Sequence, residues 1–167
     1  MKSVCNLSFI LVLFCATIPN VYSQKTGLSK YDSLSTMPPF EYYTLSGEAF
    51  TPHDLSSTRK TVFIYFKNDC PYCQRQGSII ADHMADFASA DFVFITRQDS
   101  ALAQEYATAH HLQNLANVKF VLDKKKLYYS YCKAQYTPSI HIYDKHKKLI
   151  KFTEGVLKRD DLMNYLN

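Results

Sequence analysis

Thr61-Val62-Phe63-Ile64-Tyr65-Phe66 leads, through Lys67-Asn68-Asp69, into Cys70-Pro71-Tyr72-Cys73. The first six residues have the β-branched and aromatic content of a buried strand. From Gln74 onward the pattern becomes helical. Two cysteines three positions apart at a helix start share one face, at a separation that suits a reversible disulfide. Backbone N–H groups at a helix N-terminus stabilise an anion, so Cys70 should ionise more readily than an isolated cysteine. A strand, a CxxC turn and a helix together point to a dithiol redox site. Cys70 is the expected nucleophile, and Cys73, one turn inside the helix, the expected resolving thiol.

Two other uses of such a pair compete with this one. Structural zinc takes four Cys or His ligands, and the chain offers neither a second CxxC nor an HxxxH. No metal is therefore expected. A purely structural disulfide is the other alternative, because exported proteins carry such bonds.

Working toward the N-terminus, Met1-Lys2 is a short basic start, Leu7 to Ile18 is almost continuously apolar, and Val21-Tyr22-Ser23 suits cleavage. Residues 1–23 thus read as a secretory signal, with Gln24 the expected mature N-terminus. The apolar run falls short of the roughly 20 residues that span a bilayer, so membrane anchoring is not expected. Phe14, ahead of Cys15, is unlike the small residue of lipoprotein signals. The protein is expected to be exported, to a periplasmic or otherwise extracytoplasmic compartment. Cys5 and Cys15 would leave with the signal, and Cys70, Cys73 and Cys132 would remain. An odd number suggests one disulfide and one thiol rather than a stapled scaffold.

The formal net charge of the 167-residue chain is +4. Lys124-Lys125-Lys126 and Lys145-His146-Lys147-Lys148 lie beside turns and read as solvated. A nucleic-acid surface needs a sustained basic face, so no nucleic-acid partner is expected.

Residues 24–37 are polar and read as a flexible lead-in to one domain over 38–167. Phe40–Leu45 and Glu48–Thr51 around Ser46-Gly47 predict a hairpin, and Asp54–Lys60 a connector. Ile80, Met84, Phe87 and Ala88 predict an amphipathic stripe on the helix after the CxxC. Asp91–Thr96 predicts a strand. Asp99 or Ser100 would cap a helix with Leu102, Tyr106 and Ala109 on one face. A short extended piece over Asn117–Leu122 and a turn or two of helix over Lys126–Lys133 follow. Pro138 opens a strand over Ser139–Tyr143, Lys147–Thr153 pairs back with it, and Lys158–Leu166 closes as a helix with Leu162, Tyr165 and Leu166 inward. Strands alternating with helices, then a hairpin and a final helix, predict an α/β sandwich with a mixed sheet.

Pro39-Phe40, Gly47, Val62–Phe66, the Cys70–Cys73 motif, Leu122-Asp123, Thr137–Asp144, Lys148-Leu149-Ile150 and Gly155 together resemble the thioredoxin superfamily, in particular its exported TlpA-like branch. The likeness spans nearly the whole of the expected mature chain. It implies a three-layer sandwich: a central mixed β-sheet, helices on both faces, and an N-terminal β-hairpin extension. It further implies that Pro138 is cis and lies against the dithiol, and that the Thr137 backbone pairs with substrate. Pro71, Tyr72, Asp69 and Lys67 are the residues expected to tune the site. The chain departs from the family in having Asp69 where a tryptophan usually precedes the first cysteine. It also has Ile64 where many thioredoxins bury an aspartate that helps deprotonate the second. Lys67, Asp69 and water remain candidate proton acceptors for Cys73.

Other branches fit less well. Peroxiredoxins place Thr or Ser where Lys67 stands, and copper chaperones of this fold use a longer CxxxC spacing. His141 is expected to be structural, His110-His111 to lie on the surface at a helix end, and Cys132 to be a buried small hydrophobe. The neighbouring tyrosines are expected to serve core and rim packing. The expected function is exchange of disulfides with protein substrates, as a reductant, with an upstream electron donor and no cofactor beyond the Cys70–Cys73 disulfide. Asp69 is expected to oppose a second anion at Cys70. A scaffold module with a structural disulfide and a thiol-dependent peroxidase are the alternatives.

Overall fold

Alternation of side chains along each strand divides the apolar residues between the two faces of one sheet. The computed structural model describes residues 35–132 and 134–167. The expected signal at 1–23, and the lead-in up to residue 34, lie outside the described residues. The strands are β1 (Tyr42–Thr44), β2 (Ala49–Phe50), β3 (Lys60–Tyr65), β4 (Ala90–Thr96), β5 (Val118–Leu122), β6 (Ser139–Tyr143) and β7 (Leu149–Glu154). The helices are α1 (Pro71–Asp82), α2 (Ser100–Ala109), α3 (Leu127–Cys132) and α4 (Arg159–Leu166).

The strand order is β2-β1-β5-β4-β3-β6-β7. β3, β4 and β5 run parallel, β6 is antiparallel to β3, β7 to β6, and β1 to β5. Successive crossovers from β3 to β4 to β5 step in one direction, and right-handed crossovers then place both connecting helices on the same face. There Val62, Ile64, Phe92, Phe94, Val118, Phe120, Ile140 and Ile142 meet Ile80 of α1, Ala103, Tyr106 and Ala107 of α2, and Leu162 and Leu166 of α4. Phe63, Tyr65, Val93, Ile95, Val121 and Tyr143 point the other way, onto Tyr128 and Cys132 of α3 and onto Phe40, Tyr42 and Phe50 of the N-terminal hairpin. The expected three layers are therefore present. Each fully buried Phe or Ile contributes about 1.5–3 kcal/mol relative to exposure, so the two clusters hold the sheet on both sides.

Two expected helix faces are corrected by the structure. α1 stops at Asp82, and Met84 and Phe87 reach the core from the turn that follows, while Ala88 is exposed. In α2 the inward face is Ala103, Tyr106, Ala107 and His110. Ala109 points to solvent, because the N-cap at Asp99, accepting from the Leu102 N–H at 2.9 Å, fixes the helix phase. The predicted extended piece at 117–122 is a full interior strand, β5, flanked by β4 and β1.

His110 is likewise not the surface residue that its helix-end position suggests. It is buried, with its ring 4.6 Å from that of Tyr106. His141 is fully buried on the opposite face. Its Nδ1 lies 2.6 Å from the Tyr128 hydroxyl and its ring packs on Phe152. Burial pushes its pKa down to about 3, so it is a neutral structural group. Cys132 is buried as expected, and burial pushes its thiol up to about 12.

Candidate active site

The site forms where β3 ends and β6 begins. Antiparallel pairing sets Tyr65 opposite Ser139, so the residues after β3 and those before β6 leave the sheet at the same end. This is also the carboxyl end of the parallel strands, where open α/β sheets place their ligands. Cys70 is the N-cap of α1, and its Sγ accepts from the Cys73 N–H at 3.3 Å. Across the gap, the Thr137 hydroxyl donates to Cys70 Sγ at 3.5 Å, and the Cys70 thiol faces the Thr137 carbonyl at the same distance. The Thr137–Pro138 peptide bond is cis. The structure thus brings Cys70, Cys73, Thr137 and Pro138 together. Pro71, Tyr72, Lys67 and Asp69 are on the exposed rim.

The two thiols occupy contrasting environments. Cys73 is fully buried, whereas Cys70 is partly open. Burial works against ionisation of Cys70. Hydrogen bonds from the Cys73 thiol, the Thr137 hydroxyl and the backbone at Cys73 and Tyr72 outweigh it and hold the Cys70 thiol below its ordinary value. Neutral donors at the helix N-terminus thus decide the direction at Cys70. Burial, then the bond to Cys70, pushes Cys73 up to about 12. Lys67 acts on Cys73 through its backbone, which favours the anion.

A network of amide side chains fixes the loop ahead of Cys70. Asn68 N–H donates to Gln98 Oε1 at 2.6 Å, and Gln74 Nε2 donates to the Asn68 carbonyl. That carbonyl can only accept, so Gln74 must turn its oxygen to His110 Nε2, 2.7 Å away. His110 therefore carries its proton on Nε2, and Nδ1 is left to accept from Ser78 Oγ at 3.4 Å. Gln76, also in α1, closes two bonds to the Leu157 backbone. Finally, the Tyr106 hydroxyl donates to the Cys73 carbonyl. Asn68, Gln74, Gln76 and Gln98 were not legible as site residues, because polar amides leave no periodic pattern, and Tyr106 read only as a core residue of α2.

These environments predict the alkylation behaviour of the dithiol form. Iodoacetamide should modify Cys70 first, with a pH midpoint below the roughly 8.5 of a free cysteine, and spare Cys73 until strongly alkaline conditions. Because the folded-state pKa of Cys70 is depressed, ionisation favours the fold. That contribution is complete above the unfolded value and is lost as pH falls through the folded one. Equal alkylation of both thiols at neutral pH would contradict the assignment.

A cis proline facing a CxxC at a helix N-terminus, on a mixed sheet covered on both faces, defines a thioredoxin-type dithiol domain. The sequence profile of the thioredoxin-like domain matches residues 55–167, and the chain belongs to that family. Among solved structures, a secreted Mycobacterium tuberculosis disulfide oxidoreductase homologous to E. coli DsbE superposes with a TM-score of 0.65 at 19% identity, covering 81% of this chain and 96% of its own. StoA from Bacillus subtilis gives 0.62 at 16% identity, with coverage of 80% and 99%. The thioredoxin domain of a Bacteroides vulgatus thiol-disulfide oxidoreductase gives 0.63 at 17% identity, with coverage of 80% and 96%. At such identities the likeness is one of fold. No curated protein sequence matches the chain. Among the described residues, no helix is long and apolar enough to cross a membrane.

Proposed function

We propose that the protein is an extracytoplasmic thiol-disulfide oxidoreductase that reduces disulfides in protein substrates. The observation that carries this reading is the pairing of a partly open, readily ionised Cys70 with a buried Cys73 held in its proton-bearing form. The Cys70 thiolate attacks one sulfur of a substrate disulfide, forming a mixed disulfide and releasing the other sulfur as a thiolate. Cys73 then gives up its proton and attacks Cys70 Sγ, which releases the second substrate thiol and leaves the Cys70–Cys73 bond. Two electrons pass to the substrate, and an upstream dithiol donor restores the reduced form. The cysteines themselves carry the electrons.

Direction follows from how the thiolate is stabilised. Strong oxidants owe their potential to a heavily stabilised reduced form. Here the anion at Cys70 is supported by neutral donors, and no histidine stands between the two cysteines of the motif. Extracytoplasmic location rests on the secretory pattern of residues 1–23.

Equilibration of the 24–167 protein with glutathione buffers tests the reading. The expected potential lies closer to about −270 mV than to the roughly −120 mV of strong oxidants. A Cys70–Cys73 bond that resists mild dithiols altogether would instead mark a structural disulfide and defeat the proposal.

A further inference from the structure

Beside Cys70 lies a groove of about 400 Å³ lined by Tyr72, Arg75, Tyr136, Thr137, Glu154, Gly155 and Val156. Tyr72 and Tyr136 stand 64% and 68% exposed, more than any other large hydrophobic side chain among the described residues. They come from different segments, one inside the CxxC and one ahead of Pro138, and neither hydroxyl has a hydrogen-bond partner among the described residues. Large apolar surface displayed on both sides of a reactive sulfur is costly to leave wet, and marks a contact surface. Between them the floor is kept open by backbone. Gly155 has φ +94 with nothing within 4 Å of where a Cβ would stand, and its N–H donates to the Pro138 carbonyl at 2.8 Å.

The two charges at the groove differ in how they are engaged. Glu154 is committed to the wall, with its Oε1 accepting from the Gln135 and Tyr136 N–H groups at 2.5 and 3.1 Å. Those bonds hold Tyr136 in place. Arg75 is exposed and has no ion-pair partner among the described residues. A guanidinium left uncommitted beside an aromatic cleft is suited to a carboxylate.

We propose that this groove selects its substrates: it takes an extended segment of a partner protein in which the reacting cysteine is flanked by an aromatic side chain and a carboxylate. The aromatic side chain lies between Tyr72 and Tyr136, in the offset or edge contacts that aromatic rings prefer. The carboxylate meets Arg75. This rests on the exchange chemistry proposed above, and names the substrate that the chemistry serves.

The test uses reduced 24–167 protein and short peptides whose single cysteine is held as a mixed disulfide with thionitrobenzoate. The Cys70 thiolate bonds to the peptide sulfur, and the bond to thionitrobenzoate breaks, releasing the coloured anion. Cys73 then loses its proton, forms the Cys70–Cys73 bond and frees the peptide thiol. Four peptides vary one flanking position between phenylalanine and serine and the other between glutamate and lysine. Phenylalanine should raise the rate about tenfold over serine, and glutamate should be preferred to lysine. Tyr136→Ala should abolish the first preference and Arg75→Glu should reverse the second. Four equal rates, with the symmetric disulfide of thionitrobenzoate still reduced, would overturn the inference and leave the exchange chemistry standing. Failure to reduce either the peptides or that small disulfide would overturn both.

Discussion

Cys70→Ser protein is expected to lose thiol-disulfide exchange down to the uncatalysed background, while Cys73→Ser protein keeps the first half of the reaction and stalls. Serine at position 70 retains the N-cap acceptor but is no nucleophile at neutral pH. Serine at 73 leaves the Cys70 thiolate free to attack, and removes the thiol that would resolve the product. Mixed disulfides should therefore accumulate on Cys73→Ser alone, visible as dithiothreitol-sensitive adducts on non-reducing gels. Comparable trapping by both variants would exclude the assignment of roles. The basis is the burial of Cys73 against the partial exposure of Cys70.

Gly77→Val is the substitution expected to cost the fold most for its size. A Cβ at position 77 would stand 2.5 Å from the Tyr106 hydroxyl and 2.8 Å from His110 Cδ2. Both rings are buried and bonded back to α1, Tyr106 to the Cys73 carbonyl and His110 to Gln74. Neither can yield without breaking a link to the dithiol helix. Overpacking of this kind costs about 3 kcal/mol, which is roughly 10 °C in Tm for a domain of this size. Thermal melts followed by circular dichroism would measure it. A Gly77→Val protein melting alongside the wild type would show that α2 moves aside freely.

Most of the architecture can be read from side-chain alternation. Val62, Ile64 and Phe66 against Phe63 and Tyr65 already imply a strand covered on both faces, and Pro138 followed by Ser139–Tyr143 marks the strand that meets it. The motif residues Cys70 and Cys73 could be placed because a helix start fixes their shared face. What escaped was set by contacts remote in sequence. The α2 face was misjudged because hydropathy favoured Leu102 and Ala109, whereas the buried set includes His110, whose polar atoms are satisfied only by Ser78 and Gln74 of another helix. The end of α1 was misjudged because Phe87 is apolar and buried without being helical. The tyrosines beside Cys132 read as packing residues, and Tyr128 is one, fully buried. Tyr72 is placed at the site by the CxxC motif itself, whereas no local pattern points to Tyr136.

The union of Cys70 with Thr137 bears on when the protein acquires its chemistry. The residues in contact are 67 positions apart, and β3 and β6, neighbours in the sheet, are separated in sequence by β4, β5 and three helices. Contacts of such long range form late, since the entropy of closing the loop is met before any contact is gained. A chain emerging from synthesis carries Cys70 long before it has Thr137 beside it. Until β6 docks, that sulfur has only the donors of its own helix, lacks the Thr137 hydroxyl and is exposed to unselected partners. Part of the support for its thiolate thus arrives only with completion of the fold, and a rise in the alkylation rate of Cys70 during refolding would time the docking of β6.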